Sequence, residues 1–480
     1  MANIKKNVFY STFLTTANYI FPLITYPYVS RVLGVTNIGI CNFVDSIINY
    51  YSLFAMMGMT TVAIREISIS KDDKKQLSKT FSSLLTLNLV TTFIMIVALV
   101  ASTLFVPRLY ENKELMFVGA FKLLFNTLLI EWLYKGLEDF KYITTRSIIV
   151  RCVYVALVFI LIRKADDYLL YYFLTVLITI LNGAINFIYS RRFVRFTFRD
   201  LSFTPYLKSF FILGIYSLLT SMYTTFNTAY LGFVGGNEQV GYYATATKLH
   251  HILLGVFTAF TGVMLPRMTS LLSEGKREEF NVYFHKSIDV VFSFAFPLIC
   301  LSIVFADQIV RIISGAGYED AVPCMQIIMP LIFIIGYDQI LTIQILLPLK
   351  RDKDVLIISV IGAIVGVAAN LLLVPHLKSI GSSLVWLLSE MIVLTLAQYF
   401  AMKQTGLHFR YKHLIKYLIS AIPILIILVF LHKWNPLGIY SVMLALLITL
   451  LYYTVLELFV YKNQVIVNGA KQIKNKIVKR

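Results

Sequence analysis

Lys248, His250 and His251 stand in the middle of GYYATATKLHHILLG, residues 241–255, with long apolar sequence on both sides. On a helix, Gly241, Ala244, Lys248, His251 and Gly255 follow a three-four spacing and share one small, polar face. Lys248 comes eight residues after Val240, about 12 Å of helical rise, and the midplane of a bilayer lies at about 15 Å. A lysine that deep must face protein or a watery cavity. Its compact charge suits a phosphate. His251 adds a group that titrates near neutrality, open either to a pH-linked role or to plain hydrogen-bonded packing.

A second polar stripe lies in another apolar run, where Asn42, Asp45, Asn49 and Ser52 share a face. One reading is a cationic pocket in which Lys248 binds an anionic substrate, Asp45 tunes or releases it, and Asn42 and Asn49 add hydrogen bonds. The other is a structural Asp45–Lys248 pair. Lys122 sits seven residues into a further apolar run, deep enough to reach a cavity. Asp338 and Glu390 lie well inside theirs and, with His251, are candidates for coupling to a proton or sodium gradient, or else satisfied buried polar groups. Tyr223, Tyr230, Tyr242 and Tyr243 could stack on sugar rings or simply pack. The four cysteines (41, 152, 300 and 324) have no metal-type spacing and are expected to be buried and inert. No bound cofactor or metal is expected.

The elements that must carry these residues are membrane helices. The 480 residues are 58% hydrophobic and only 14% charged, whereas a soluble protein is nearer one quarter charged. Runs of about 20 apolar residues recur. They read as fourteen spans, the first two at 8–30 and 38–64, the fourth at 115–134, the tenth at 321–349 and the last two at 414–431 and 437–460. Pro22, Pro27 and Pro330 predict bends within them. With the N-terminus inside, about thirty of the 43 Lys and Arg fall in cytoplasmic segments and eight in outer ones. Both termini are therefore expected in the cytoplasm, and the net charge of +18 needs no nucleic acid. Every loop is short. The longest outer one holds only Asp307, Arg311, Glu319 and Asp320 as charges, which disfavours an enzyme.

An internal repeat is visible at an offset of 202: Ile38-Gly39 with Val240-Gly241, Arg65 with Arg267, and Tyr28 with Tyr230. It predicts two six-helix bundles of like orientation, related by a pseudo-two-fold along the membrane normal. We expect an all-α polytopic membrane protein with bundles at 1–200 and 201–411, two additional helices at 412–462 and a basic cytoplasmic tail at 463–480.

Four stretches, in order, carry a family resemblance. PYVSRVLGVTNIGICNFVDSIINYYSLFAMMGM with AIREIS resembles the opening of bacterial polysaccharide (O-antigen type) flippases, of the superfamily that includes MATE drug exporters. EWLYKGLEDFKYITTRSIIVR resembles their connection between spans four and five. GYEDAVPCMQIIMP resembles the start of span ten, and ILLPLKRDKDVLIISVIGAIVGVAANLLLVP with GSSLVWLLSE resembles spans eleven and twelve. The resemblance implies two six-helix bundles around a central cavity in a bacterial inner membrane. It implies a lipid-linked glycan on undecaprenyl diphosphate, moved outward with no covalent chemistry, with membrane lipids and polysaccharide polymerase machinery as partners. The family's arginine before Leu-Gly is Arg31 here, its Arg-Glu pair is Arg65-Glu66, and its Trp…Gly…Glu run is Trp132, Gly136 and Glu138. A peptidoglycan lipid-precursor flippase and a MATE-like small-molecule exporter remain as alternatives.

Overall fold

The computed structural model describes residues 2–197, 201–222, 225–406, 408–409, 411–434 and 438–461. Every regular element among them is helical. The first half holds α1 (Ala2–Met56), α2 (Met59–Ser70), α3 (Lys74–Phe105), α4 (Pro107–Tyr110), α5 (Lys113–Leu128), α6 (Glu131–Gly136), α7 (Phe140–Leu161), α8 (Tyr168–Ser190) and α9 (Thr204–Ser221). The second holds α10 (Thr225–Val234), α11 (Asn237–Ser273), α12 (Arg277–Val304), α13 (Ala306–Ser314), α14 (Ala321–Ile328), α15 (Leu331–Gln339), α16 (Asp352–Thr405), α17 (Tyr411–Trp434) and α18 (Ile439–Val455).

Among the described residues, eleven helical stretches are long and apolar enough to cross a membrane, as a multi-pass protein requires. Phe13–Ser70 and Asp352–Thr405 are 58 and 54 residues long and bend inside, at Gly34 (φ 75°) and Lys378 (φ 50°). Each therefore has room for two crossings. The expected seventh span, 210–233, falls on α9 and α10, so the helices are compatible with fourteen crossings.

The bends fall only partly where the prolines predict them. Pro330 does separate α14 from α15, but α1 runs through both Pro22 and Pro27 without leaving helical geometry. Two breaks come where no proline stands. The expected second span stops at Met56 and restarts at Met59, with Met57 at φ 36°; the expected fourth stops at Leu128 and restarts at Glu131, with Ile130 at φ 36°, ψ 31°. A left-handed backbone is costly for any L side chain and most unusual for a β-branched one. Hydropathy does not register such breaks, because apolar residues continue through them. Three cysteines are buried as expected, whereas Cys152 is exposed on α7.

The chain forms two compact units, Met1–Ala244 with Ala363–Val385, and Thr245–Gly362 with Trp386–Arg480. In the first, α5 packs on α8, α3 and α1, and α2 packs on α6. Gly136 lets α6 approach α2, because a Cβ there would come within 2.6 Å of Ile67. Around that contact lies an apolar core that includes Met59, Phe81, Trp132, Tyr134 and Phe210.

The 202-residue repeat has a direct structural counterpart inside this unit. A Cβ on Gly39 would overlap the Asn237 carbonyl, and a Cβ on Gly241 would overlap the Val35 carbonyl. Adding 202 to 39 and to 35 gives 241 and 237, so the two contacts are reciprocal. Thr36 donates to Glu238 at 3.4 Å, a residue meeting its own repeat partner. Reciprocal contacts of this kind are what a two-fold relation requires. Small residues at such crossings let membrane helices approach through their backbones.

Candidate functional site

Among the described residues, the polar side chains singled out in the sequence fall mainly in two groups within the apolar helices, one in each unit. In the first unit, Asp45 and Asn49 are one turn apart on α1 and face Lys122 of α5. Lys122 Nζ donates to Asp45 Oδ1 at 2.5 Å and to Asn49 Oδ1 at 3.1 Å, while Asn49 Nδ2 donates to Asp45 Oδ2 at 3.2 Å. The three side chains close a ring. Gly119, three residues before Lys122, makes this possible: any side chain there would collide with Ile48 of α1. Tyr172 of α8, which is buried, lies beside the Asp45 carboxylate. The ring is half-open to solvent, with side-chain exposures of 22% for Lys122 and 36% for Asp45.

Asn49 also lines a cavity of about 680 Å³. Its polar wall includes Ser52, Thr60, Thr61, Asn126 and Glu131. Met57 and Ile130, the two residues with unexpected left-handed backbone, line it as well. Both helix breaks therefore border one chamber, and strained backbone of this kind concentrates at functional sites. Glu131 accepts from Arg146 at 2.8 Å and pairs with Lys135 at 3.4 Å. Arg146 itself is buried on α7 and also donates to Ser147. The chamber wall thus mixes hydroxyls, amides and paired charges with apolar side chains such as Leu53, Met56, Leu129 and Leu213.

In the second unit, α11 turns Lys248 and His251 toward accessible space while Leu249, His250 and Leu254 are buried. The His250 and His251 rings lie 4.9 and 5.4 Å from the ring of Trp386 on α16. Trp386 Nε1 donates to Glu390 Oε1 at 3.2 Å. His251 and Glu390 thus both adjoin Trp386, while Lys248 lies one turn before His251 on α11 and Asp338 sits on α15 of the same unit. Trp386, the bridge between His251 and Glu390, was not singled out; its i, i+4 spacing to Glu390 was the available signal.

The remaining expected residues take other places. Asn42 donates to the Ile38 carbonyl of its own helix at 2.7 Å, and the exposed Arg31 donates to the Pro27 carbonyl at 2.6 Å. Tyr242 and Tyr243 are buried, and the Tyr243 hydroxyl accepts from Asn227. Tyr230 stacks on Phe226, and Tyr223 lies outside the described residues. Within the first unit the carboxylate of Asp45 is engaged by Lys122.

A family model described as "Polysaccharide biosynthesis protein" matches residues 4–272, more than half of the chain. The chain belongs to this polysaccharide biosynthesis protein family. A second family model, MatE, matches residues 212–372. A protein of Escherichia coli K12 described as "Putative O-antigen transporter" is 27% identical over 82% of this chain and 95% of its own. One of the same description from Shigella dysenteriae is 24% identical over 81% of this chain and 98% of its own. Among solved structures, the lipid II flippase MurJ in an inward closed conformation aligns with a TM-score of 0.76, covering 97% of this chain and all of that one at 15% identity. An inward-facing MATE multidrug transporter aligns with a TM-score of 0.64 over 80% of this chain and 94% of its own, at 13% identity. At these identities the structural likeness establishes the fold alone, a polytopic all-helical architecture.

Proposed function

We propose that this chain is a flippase, a transporter rather than an enzyme. Its substrate would be an oligosaccharide repeat unit linked to a polyprenyl diphosphate, carried across the bacterial inner membrane for surface polysaccharide synthesis. The observation that carries the reading is the near full-length alignment with two proteins described as O-antigen transporters. The interior chemistry supports it. A diphosphate glycan cannot enter hydrocarbon without losing its hydration, and the helices here hold a partly hydroxyl-lined chamber and two intramembrane lysines, Lys122 and Lys248.

Lys248 would engage the diphosphate, the Asp45–Asn49–Lys122 ring would border the sugar path, and His251, Asp338 and Glu390 would couple transport to a proton or sodium gradient. Both termini would be cytoplasmic, and two like bundles at 1–200 and 201–411 would alternate access. Polysaccharide polymerase machinery would take up the exported unit. In cells whose surface glycan depends on this gene, Lys248→Ala is expected to abolish surface glycan at unchanged protein level in the membrane, and Lys248→Arg to restore part of it. Normal surface glycan with the alanine variant would remove Lys248 from the mechanism. The structural likeness to MurJ raises peptidoglycan precursor as a second substrate. Rescue of a strain lacking its lipid II flippase would favour that reading.

A further inference from the structure

We propose that a basic pocket at the start of α3, distinct from the partly hydroxyl-lined chamber, binds the headgroup of a lipid carrying two phosphate charges. Six cations converge there: Lys74, Lys75 and Lys79 of α3, and Arg191, Arg192 and Arg195 just beyond α8. They surround a cavity of about 650 Å³, within the usual range for a ligand site.

An excess of cytoplasmic Lys and Arg is expected of any membrane protein, so charge alone proves nothing. What separates this pocket is the convergence of six cations on one cavity that no carboxylate lines. Arg65 and Lys71 in the same segment, and Lys135, Arg267, Lys276 and Arg351 in others expected to face the cytoplasm, each reach a carboxylate at 2.7–3.4 Å. Among the described residues, no carboxylate lies within 4 Å of any of the six pocket cations, and no carboxylate lines the cavity. Converging like charges repel one another unless an anion joins them.

The pocket is also built rather than accidental. The segment after α8 is fastened along α3 by a ladder of serines. Ser78 Oγ accepts from the Arg195 amide at 3.1 Å, Ser82 Oγ from the Thr197 amide at 3.0 Å, and Ser83 Oγ from the Ser202 amide at 3.1 Å. Val194 anchors the same segment in the apolar core, beside Leu77 and Phe81. The Arg192 guanidinium rests 4.9 Å over the Tyr189 ring. The Arg195 backbone and the Arg192 guanidinium are thus fixed beside the cavity that all six cations line.

The surroundings point to a lipid rather than a free anion. One turn and two turns before Arg192 on α8, Ile188 and Ile185 are 63% and 39% exposed, an apolar strip leading away from the pocket. A ligand with phosphates among the cations and chains along that strip satisfies both surfaces. Basic pockets between membrane helices take such headgroups.

The test uses the purified full-length chain and titrates cardiolipin, followed by native mass spectrometry, with phosphatidylcholine as the net-neutral control. Each cation near such a headgroup is worth roughly fivefold in affinity. Lys75→Gln with Arg192→Gln is expected to weaken cardiolipin binding about twentyfold or more, and Arg267→Gln with Lys276→Gln, an equal charge change elsewhere, by less than about twofold. Lys74→Gln with Arg191→Gln, which spares the Tyr189 contact, is expected to match the first pair. Equal losses in the pocket and control pairs would overturn the proposal, as would unchanged binding in both pocket pairs. Displacement of cardiolipin by an equal concentration of pyrophosphate would overturn the lipid assignment. Farnesyl diphosphate, titrated in parallel, distinguishes the sources. If it binds tighter than cardiolipin, the site receives a polyprenyl diphosphate; the reverse order assigns it to bulk lipid, and either order upholds a phosphate-lipid site. Surface glycan export, measured separately in cells, keeps this outcome apart from the flippase reading.

Discussion

The Asp45–Lys122 pair illustrates how far a residue type can be read without its partner. An intramembrane lysine and an intramembrane aspartate were both legible, because hydrocarbon does not solvate a charge and each must meet protein or water. Their union was not, since 77 positions separate them and only the packing of α5 on α1 brings them together. Lys122 at 22% and Asp45 at 36% exposure place the pair between a surface bridge and a buried one. Removing one member leaves a charge without its counter-charge, which costs more than removing both. Asp45→Leu and Lys122→Met are each expected to lower thermal stability in detergent more than the double substitution does. The coupling energy should be about 1–3 kcal/mol. Additive losses would mean that the ring contributes no stability, and transport by the double variant would then report on function alone.

At the scale of elements, glycines decide how closely the helices meet. Gly39 and Gly241 were noticed because they repeat, and the structure supplies the reason: each lies against a carbonyl of the helix carrying the other. Gly39→Ala and Gly241→Ala are each expected to cost about 1–3 kcal/mol by overpacking, read as lower melting temperature and faster proteolysis. Gly262→Ala in α11 is the control. Nothing lies within 4 Å of its Cβ position, so the variant should be neutral or gain up to about 1 kcal/mol from helix propensity. The breaks at Met57 and Ile130 were not legible. Gly58 offered a hint at the first, but Ile130 stands between Leu129 and Glu131 with no residue that favours a left-handed turn. Tertiary packing of α2 on α6 dictates that conformation against local preference.

For the whole molecule, composition alone established the class, and the distribution of Lys and Arg gave the expectation of an even number of crossings. Those features are redundant, being spread over hundreds of residues, so they survive errors at any one helix end. The division into compact units is different, since it depends on which helices touch. Residues 201–244 pack within the first unit and 363–385 join it from far along the chain. If the Lys and Arg distribution sets the orientation, the chamber lined by Thr60 and Thr61 opens toward the cytoplasmic half of the membrane. Thr61→Cys in a chain freed of its own cysteines is then expected to react with a membrane-impermeant maleimide in inside-out vesicles and to stay unlabelled in intact spheroplasts. The reverse pattern would invert the topology.

The two interrupted crossings have a further consequence for solvent exchange. α2 and α6 both begin beside the chamber, and neither has a side chain capping its first turn. The leading amides of a helix have no partner within it, and water in the chamber can reach these. Deuterium uptake should therefore begin at residues 59–61 and 131–132 while the amides a turn or more away on α1 and α5 are still protected, so that the lumen is mapped by isotope before any substrate is added.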